Sequence, residues 1–203
     1  MFFVIANNLA LDFANTVIVD GGRQIDLLQS IDDLLEWAVV VGLMDKAGLR
    51  KVKDRLSGID AERAFNAAVE LRDTVRKIAR DLSLGRPVSK DLLNRINTTL
   101  RQKAGYFEVF RSSDGYEKRF QIGTDDVEGL LIAVAESAAD LLCFADLTQI
   151  KKCENEQCVL HFLDTSKNHR RRWCSMSACG NRAKASAFYH RKKSAEPGTK
   201  AAS

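Results

Sequence analysis

The stretch CENEQCVLHFLDTSKNHRRRWCSMSAC, residues 153–179, decides how the C-terminal part of this chain folds. It contains two cysteine pairs, Cys153 with Cys158 and Cys174 with Cys179; four residues separate the members of each pair, and fifteen residues separate the pairs. Two close pairs joined by a loop suit a tetrahedral metal ion, and four sulfur ligands favour one structural Zn²⁺ with no open catalytic position. The ligand types alone also leave an iron–sulfur cluster or disulfides open.

Three histidines and a fifth cysteine lie outside this ligand set. His161 and His169 fall between the pairs and His190 follows them. Because four cysteines are already in register, we expect each histidine at the surface or around the metal site rather than on the metal. Cys143 lies in an apolar run, and we expect a buried helix residue there, since the sequence places no histidine or acidic partner beside it.

The residues around the cysteines predict the local fold. The segment 159–163 (VLHFL) alternates and predicts a short strand after the first pair. Ser175 or Ser177 can cap a helix running to about Lys193, with Cys179 in its first turn. A knuckle, a hairpin and a helix that carries the last ligand at its N-terminus make a treble-clef-like zinc finger.

Charge divides the chain at the same place. Residues 150–203 carry 12 Lys and Arg against 4 Asp and Glu, a net charge of +8, whereas residues 1–149 carry 19 against 23, a net charge of −4. A basic C-terminal part predicts a polyanionic partner. The cations that we expect to contact phosphates are Arg170, Arg171, Arg172, Arg182, Lys184 and Arg191. The alternative is that they offset the −2 charge of four thiolates and Zn²⁺, which would account for one or two of them.

Helix signals dominate residues 1–148. Ser30, Asp45, Asp60 and Ser89 each precede a helical segment, and Thr124 or Asp125 is expected to start a further, strongly apolar one. The predicted helices are 31–41, 46–56, 61–84, 90–102 and 126–147. Segments 106–110 and 116–122 alternate around a turn and predict a β-hairpin. The expected class is α+β: a predominantly helical N-terminal domain with a small β-hairpin, a C-terminal finger over 149–193, and a disordered tail over 194–203.

Composition excludes several classes of protein. With 45% hydrophobic and 29% charged residues, the chain predicts a folded globular protein. It contains no apolar run of about 18 residues and no basic N-terminal signal region, so we expect a cytoplasmic protein without a membrane partner. Residues 1–149 contain no histidine, no glycine-rich phosphate loop and no nucleophile motif, which argues against an enzyme.

Two stretches resemble known families. The run RRRWCSMSACGNRAKASAFYHRKK (170–193), with Cys179-Gly180-Asn181-Arg182, closely resembles the CGNR zinc finger family, and the upstream stretch from Cys153 also fits. The stretch LDFANT (11–16) resembles the opening of the ABATE domain that precedes this finger. The resemblance implies an ABATE domain over 1–148, a CGNR finger over 149–193, and a bacterial transcription regulator linked to stress.

The leading hypothesis is therefore a regulator whose finger contacts DNA while its helical domain senses a small-molecule effector or forms a homodimer. A zinc-stabilised module that docks on an acidic protein is the alternative, and an enzyme in the helical domain ranks third. Asp12 and Asn15 are candidates for a ligand pocket, although capping and buried backbone contacts are the favoured use of these two side chains.

Overall fold

The computed structural model describes residues 2–56, 58–102, 105–112, 115–122 and 126–195. Within these ranges the chain forms seven α-helices and three antiparallel two-stranded sheets, which confirms the predicted α+β class. The elements are α1 Leu9–Ala14, β1 Val17–Asp20, β2 Arg23–Asp26, α2 Ile31–Val40, α3 Lys46–Arg55, α4 Gly58–Ser83, α5 Lys90–Arg101, β3 Gly105–Ser112, β4 Gly115–Ile122, α6 Val127–Phe144, β5 Ile150–Lys152, β6 His161–Leu163 and α7 Asn181–Ala195. A 3₁₀ turn (Leu147–Gln149) precedes β5 and a π-helical turn (Met176–Gly180) precedes α7.

The helix starts follow the capping chemistry of the sequence. Ser30, Asp45 and Ser89 each accept a hydrogen bond from the backbone N–H three residues on, which satisfies one of the free donors at a helix start. The α6 cap is Asp126, one or two residues after the predicted start. Helix α4 begins at Gly58 rather than after Asp60, so Asp60 lies in its first turn, where the helix dipole favours an acidic side chain.

The main core lies among the helices. Phe13 of α1 and Trp37 of α2 are fully buried, and their ring centroids are 4.7 Å apart. Helices α4, α5 and α6 add apolar side chains such as Val75, Ile96 and Val134. Helix α4 runs through the molecule and packs on α1, α2, α5 and α6, and also on β5 and β6 of the C-terminal part.

A second apolar cluster joins the helical part to the finger. It contains Leu11 and Ala79 from α1 and α4 together with Ile150, Phe162 and the four paired cysteines. Phe162 of β6 is fully buried in it. The finger therefore packs its apolar face on the helical domain and does not stand apart from it.

Hairpin β1–β2 was absent from the sequence-based prediction. Its two-residue loop is Gly21-Gly22, with positive φ at both positions (55° and 79°), as a type I′ turn requires. The buried Arg72 guanidinium holds the hairpin on α4 through two hydrogen bonds of 2.6 Å to the carboxylate oxygens of Asp26.

Two further expectations about the chain differ from the structure. Cys143 is exposed, not buried, because the last turn of α6 runs past the core; its neighbour Phe144 is 83% exposed. Helix α7 continues to Ala195, so the first two residues of the expected tail are helical, and the rest of the tail lies outside the described residues. None of the described helices combines the length and apolarity that a membrane span needs.

Candidate zinc centre and basic groove

The four cysteines of the two pairs meet at one point. All four Sγ atoms lie within 4.8 Å of one another. The Sγ of Cys174 is 3.7 Å from that of Cys158 and 3.6 Å from that of Cys179. A tetrahedron with Zn–S bonds of about 2.3 Å has sulfur–sulfur edges of about 3.8 Å, so the spacing fits one zinc ion. A disulfide needs about 2.05 Å, so these sulfurs are not paired covalently.

Backbone turns fix the positions of the thiols. The N–H of Cys158 donates to the carbonyl of Asn155, whose side chain accepts from Gln157, so the first pair closes a tight turn. The N–H of Cys174 donates to the Sγ of Cys153 at 3.4 Å, which links the two pairs directly. The last cysteine lies in the π-helical turn that leads into α7.

The protonation chemistry of the cluster also fits a divalent cation. Hydrogen bonds from the thiols of Cys158 and Cys174 hold the pKa of Cys153 far below its ordinary value. A thiolate at Cys153 in turn raises the pKa of Cys158 to about 12 and also raises that of Cys174, and burial adds to both shifts. These shifts oppose further thiolates at Cys158 and Cys174, so a cation must offset the charge when all four sulfurs ligate. The spacing of the four sulfur atoms and the four cysteine ligands together fit one structural zinc ion.

The histidines lie off this ligand set, as expected for the two whose side chains are described. The Nδ1 of His169 is 3.1 Å from the carbonyl oxygen of Asp164. The Nε2 of His161 is buried and has no hydrogen-bond partner in the described part of the chain. Burial, followed by the charges of Lys152 and Arg76, lowers the pKa of this ring to about 4. Only the backbone of His190 is described.

Asp164 organises the loop between the cysteine pairs. Its buried carboxylate accepts hydrogen bonds from Lys151 Nζ at 2.6 Å, from the backbone N–H of Arg171 at 2.9 Å, and from both donors of Ser166. Burial alone would raise the pKa of Asp164, but these donors together lower it far below its usual range. The sequence signal for this role is Asp-Thr-Ser, in which an aspartate accepts from the N–H two residues on.

Arg171 is the arginine of the triplet that contacts the rest of the fold. Its guanidinium donates to the carbonyl oxygens of Trp173 at 3.0 Å, Cys174 at 2.5 Å and Ile5 at 2.7 Å. It also lies over the ring of Phe162, 4.1 Å from the centroid. The side chain thus joins the zinc loop to the N-terminal segment of the chain, a role that its position in a basic run does not reveal.

Asp12 and Asn15 lie at the same junction. Asp12 Oδ1 accepts from the backbone N–H groups of Ile5 and Ala6, and burial raises the pKa of its carboxyl. Asn15 pairs with the backbone of His161 in both directions: its Nδ2 donates to the carbonyl at 2.8 Å and its Oδ1 accepts from the N–H at 3.0 Å. The polar atoms of both side chains therefore hold backbone on the two sides of the junction.

Four of the six predicted phosphate-contacting cations line one groove. It has a volume of about 760 Å³ and runs between the arginine triplet and the first turns of α7. Its cations are Arg170, Arg171, Arg172 and Lys184. Arg172 donates to Glu154 at 2.6 Å and lies over the ring of Trp173, 5.0 Å from the centroid, so its charge is partly offset.

The other two predicted cations lie elsewhere on α7. Arg191 is seven residues after Lys184, so it lies on the same helix face about 10 Å further along. Arg182 lines a different cleft, beside the Gly21-Gly22 turn. Gly180 allows the helix start to approach Trp173 and Met176, since an added Cβ would lie 3.1 Å from Trp173 Cδ1 and closer still to the flexible Met176 side chain.

Comparison with known proteins agrees with this architecture. Residues 7–144 match the ABATE family, which is described as "Putative stress-induced transcription regulator", and residues 149–192 match the CGNR zinc finger. A search of curated proteins gave no match to the chain. Both matched families are of regulator or zinc-finger type rather than enzymes. Since the first match covers more than half of the chain, this protein belongs to the ABATE family and carries a CGNR zinc finger.

Proposed function

We propose that the protein is a bacterial transcription regulator that binds DNA through its zinc finger. The observation that carries the proposal is the groove between the arginine triplet and α7, in which cationic side chains converge beside the zinc centre. A regulator of this kind acts in the cytoplasm, where the bacterial chromosome lies.

Two of the four groove cations, Arg170 and Lys184, are exposed and form no ion pair among the described residues. Arg191, further along α7, likewise forms no ion pair with a described residue. Cations that project from a helix and from the loop before it can neutralise several phosphates of one duplex. Arg170, Arg172, Lys184 and Arg191 form the proposed contact set, with Arg182 at its margin.

Arg171 is omitted from the contact set because its guanidinium already binds three backbone carbonyls. Its proposed role is to fix the loop that presents Arg170 and Arg172. Substitutions of the two residues should therefore have different effects. Loss of the Arg170 side chain weakens DNA binding, whereas loss of the Arg171 side chain lowers the stability of the fold.

The helical domain is the proposed sensor or dimerisation unit. A single finger with a modest basic surface needs a second copy to reach useful specificity, so we expect a homodimer on DNA. We also expect a small-molecule effector to act through the helical domain, since the finger packs on it through a shared apolar cluster.

A protein-docking role is the second candidate. Met176 and Phe188 are 55% and 65% exposed on the basic module, and apolar side chains among cations also suit an acidic protein partner. Salt-dependent DNA binding separates the two candidates.

The test is fluorescence anisotropy of the full-length protein on a labelled duplex over a series of salt concentrations. Four phosphate contacts predict a slope of log affinity against log salt of about −3.6, at about −0.9 for each contact. The variant Arg170→Gln with Lys184→Gln should reduce the slope to about −1.8 and leave the zinc content unchanged. Arg50→Gln with Lys51→Gln, the same charge change on exposed residues of α3, is the matched control and should leave the slope unchanged.

Selection of genomic fragments by the purified protein would then identify the recognised sequences. The absence of duplex binding by zinc-loaded protein at low salt would contradict the DNA-binding proposal and favour the acidic protein partner. Equal slopes for the groove variant and the α3 control would remove this groove from the DNA contact.

A further inference from the structure

A second basic concavity lies where the helical domain contacts the finger, away from the groove beside α7. It is a cleft of about 600 Å³ between helix α4 and the strands β5 and β6. It does not include Asp12, Asn15 or the groove cations described above. The charged and titratable residues that line it are Asp73, Arg76, Lys77, Arg80, Lys152 and His161.

Positive charge dominates the lining of this cleft. Four cations line it with one carboxylate, Asp73, whose Oδ1 is 3.7 Å from Arg76 Nη1. Within the described part of the chain, Lys77, Arg80 and Lys152 form no ion pair. Cations that face one concave surface repel one another, and an anion bound among them would relieve the repulsion.

His161 adds a buried polar atom to the same wall. Its backbone is held in both directions by Asn15, so the ring is presented from a fixed position. Its Nε2 is buried and makes no hydrogen bond among the described residues, which costs free energy in a folded protein. An oxyanion in the cleft would offset the neighbouring cations and accept a hydrogen bond from the Nε2–H of the ring.

The shape of the cleft favours a small ligand. Its volume lies within the range of about 300–1,000 Å³ that is typical of small-molecule sites. A duplex is a convex rod, and it meets exposed cations on a groove rim more readily than it reaches a half-buried histidine between a helix and two strands.

We propose that the cleft between α4 and β5–β6 binds a small molecule that carries a phosphate or carboxylate group, with Arg76, Lys77, Arg80, Lys152 and His161 as its contacts. Its walls come from both matched families: α4 belongs to the ABATE domain and the two strands belong to the finger. A ligand there bridges the two units. That such a ligand is the effector of the regulator rests on the proposed function. That the cleft binds the ligand does not rest on it.

The test is a chemical-shift titration of zinc-loaded, ¹⁵N-labelled full-length protein with inorganic phosphate and, in a second series, with succinate. Sodium chloride holds the ionic strength constant. We expect saturable shifts at the amides of Arg76–Arg80, Lys152 and His161 with at least one of the two anions. Saturation by phosphate alone indicates a phosphorylated ligand, saturation by succinate alone a carboxylate ligand, and saturation by both a site for either oxyanion.

Matched variants locate the site. Arg80→Gln with Lys152→Gln changes two exposed side chains and should weaken anion binding at least tenfold. Arg50→Gln with Lys51→Gln on α3 carries the same charge change and should bind as the unaltered protein does. Single Lys77→Gln is the reserve variant if the double change alters the amide spectrum as a whole, and its binding should weaken several-fold.

Three results would overturn the proposal: linear, unsaturated shifts with both anions; equal anion affinity in the cleft variant and the α3 control; or shifts at these amides with duplex DNA but with neither anion. The last would assign the cleft to the DNA footprint. Saturable anion binding by a protein that binds no duplex supports the cleft and contradicts the proposed function. Duplex binding without saturable anion binding contradicts the cleft alone.

Discussion

The sharpest prediction concerns two adjacent arginines with the same formal charge. Arg171→Ala removes a guanidinium that donates to three backbone carbonyls and packs on the ring of Phe162. Arg170→Ala removes an exposed side chain for which the described residues provide no ion-pair partner. The first should destabilise the fold, and the second should leave the free energy of unfolding almost unchanged.

The magnitude follows from the contacts of Arg171. A hydrogen bond from a charged group contributes about 1.5–3 kcal/mol, and a carbonyl left unsatisfied in a buried site costs about 1–3 kcal/mol. Three such bonds are not additive, and water will reach some of the carbonyls, so the expected loss is about 4 kcal/mol. In a chain of this size that corresponds to a decrease in Tm of about 8–16 °C. The Arg170 change should lie within about 0.5 kcal/mol.

The assay is equilibrium denaturation of both variants at constant free zinc, followed by far-UV circular dichroism. Arg171→Lys is a further control, because it keeps the charge but lacks the planar fork that reaches three carbonyls at once. It should recover less than half of the lost stability. Equal unfolding free energies for Arg170→Ala and Arg171→Ala, or full recovery by Lys, would refute the assignment of Arg171 to the junction.

Three further predictions concern the metal, the junction and pH. Cys174→Ser should abolish stoichiometric zinc binding, measured by elemental analysis, and lower the Tm, because metal binding contributes folding free energy; retained zinc would contradict the ligand set. Asn15→Asp replaces the donor that faces the His161 carbonyl at 2.8 Å with an acceptor and should cost about 2–4 kcal/mol in denaturation. Asn8→Asp keeps its capping oxygen and loses only a longer hydrogen bond, 3.4 Å, to the carbonyl of Ser137, so it should cost clearly less than Asn15→Asp. His161 has a pKa of about 4, below its unfolded value of about 6.5, so its contribution to stability is complete above pH 6.5 and is lost as pH falls towards 4. At pH 5.5 the loss is about 1 kcal/mol in a phosphate-free buffer, and His161→Gln should remove that part of the pH dependence.

Local chemistry explains why much of the architecture could be predicted. Ser30, Asp45 and Ser89 cap helices through bonds that span three residues, so the sequence around each contains the whole signal. The cysteine spacing likewise specifies a tetrahedral cluster, since each pair closes a turn of its own. These features depend little on where the rest of the chain lies.

The features that escaped prediction depend on distant contacts. Arg171 meets the carbonyl of Ile5 across 166 residues, and Asn15 meets His161 across 146, so neither role can be read from the neighbouring sequence. Cys143 follows an apolar pattern to the end of α6, but the core ends before the helix does. The β1–β2 hairpin had a local signal in Gly21-Gly22, which the more polar second strand obscured.

The junction also bears on how the chain is divided. The family boundary falls between residues 144 and 149, yet the extended N-terminal segment lies against β6: the N–H of Leu163 donates to the carbonyl of Ala6, and Asn7 donates to the carbonyl of Leu163. A finger cut at residue 149 would expose Phe162 to water and leave Arg171 without its contact at Ile5. These hydrogen bonds fix the orientation of the finger on the helical domain. A conformational change in the helical domain would therefore be transmitted to the arginine triplet through them. The two matched families therefore meet at a point where the packing of the chain is continuous. That continuity would allow the proposed ligand on α4 to affect the proposed DNA binding.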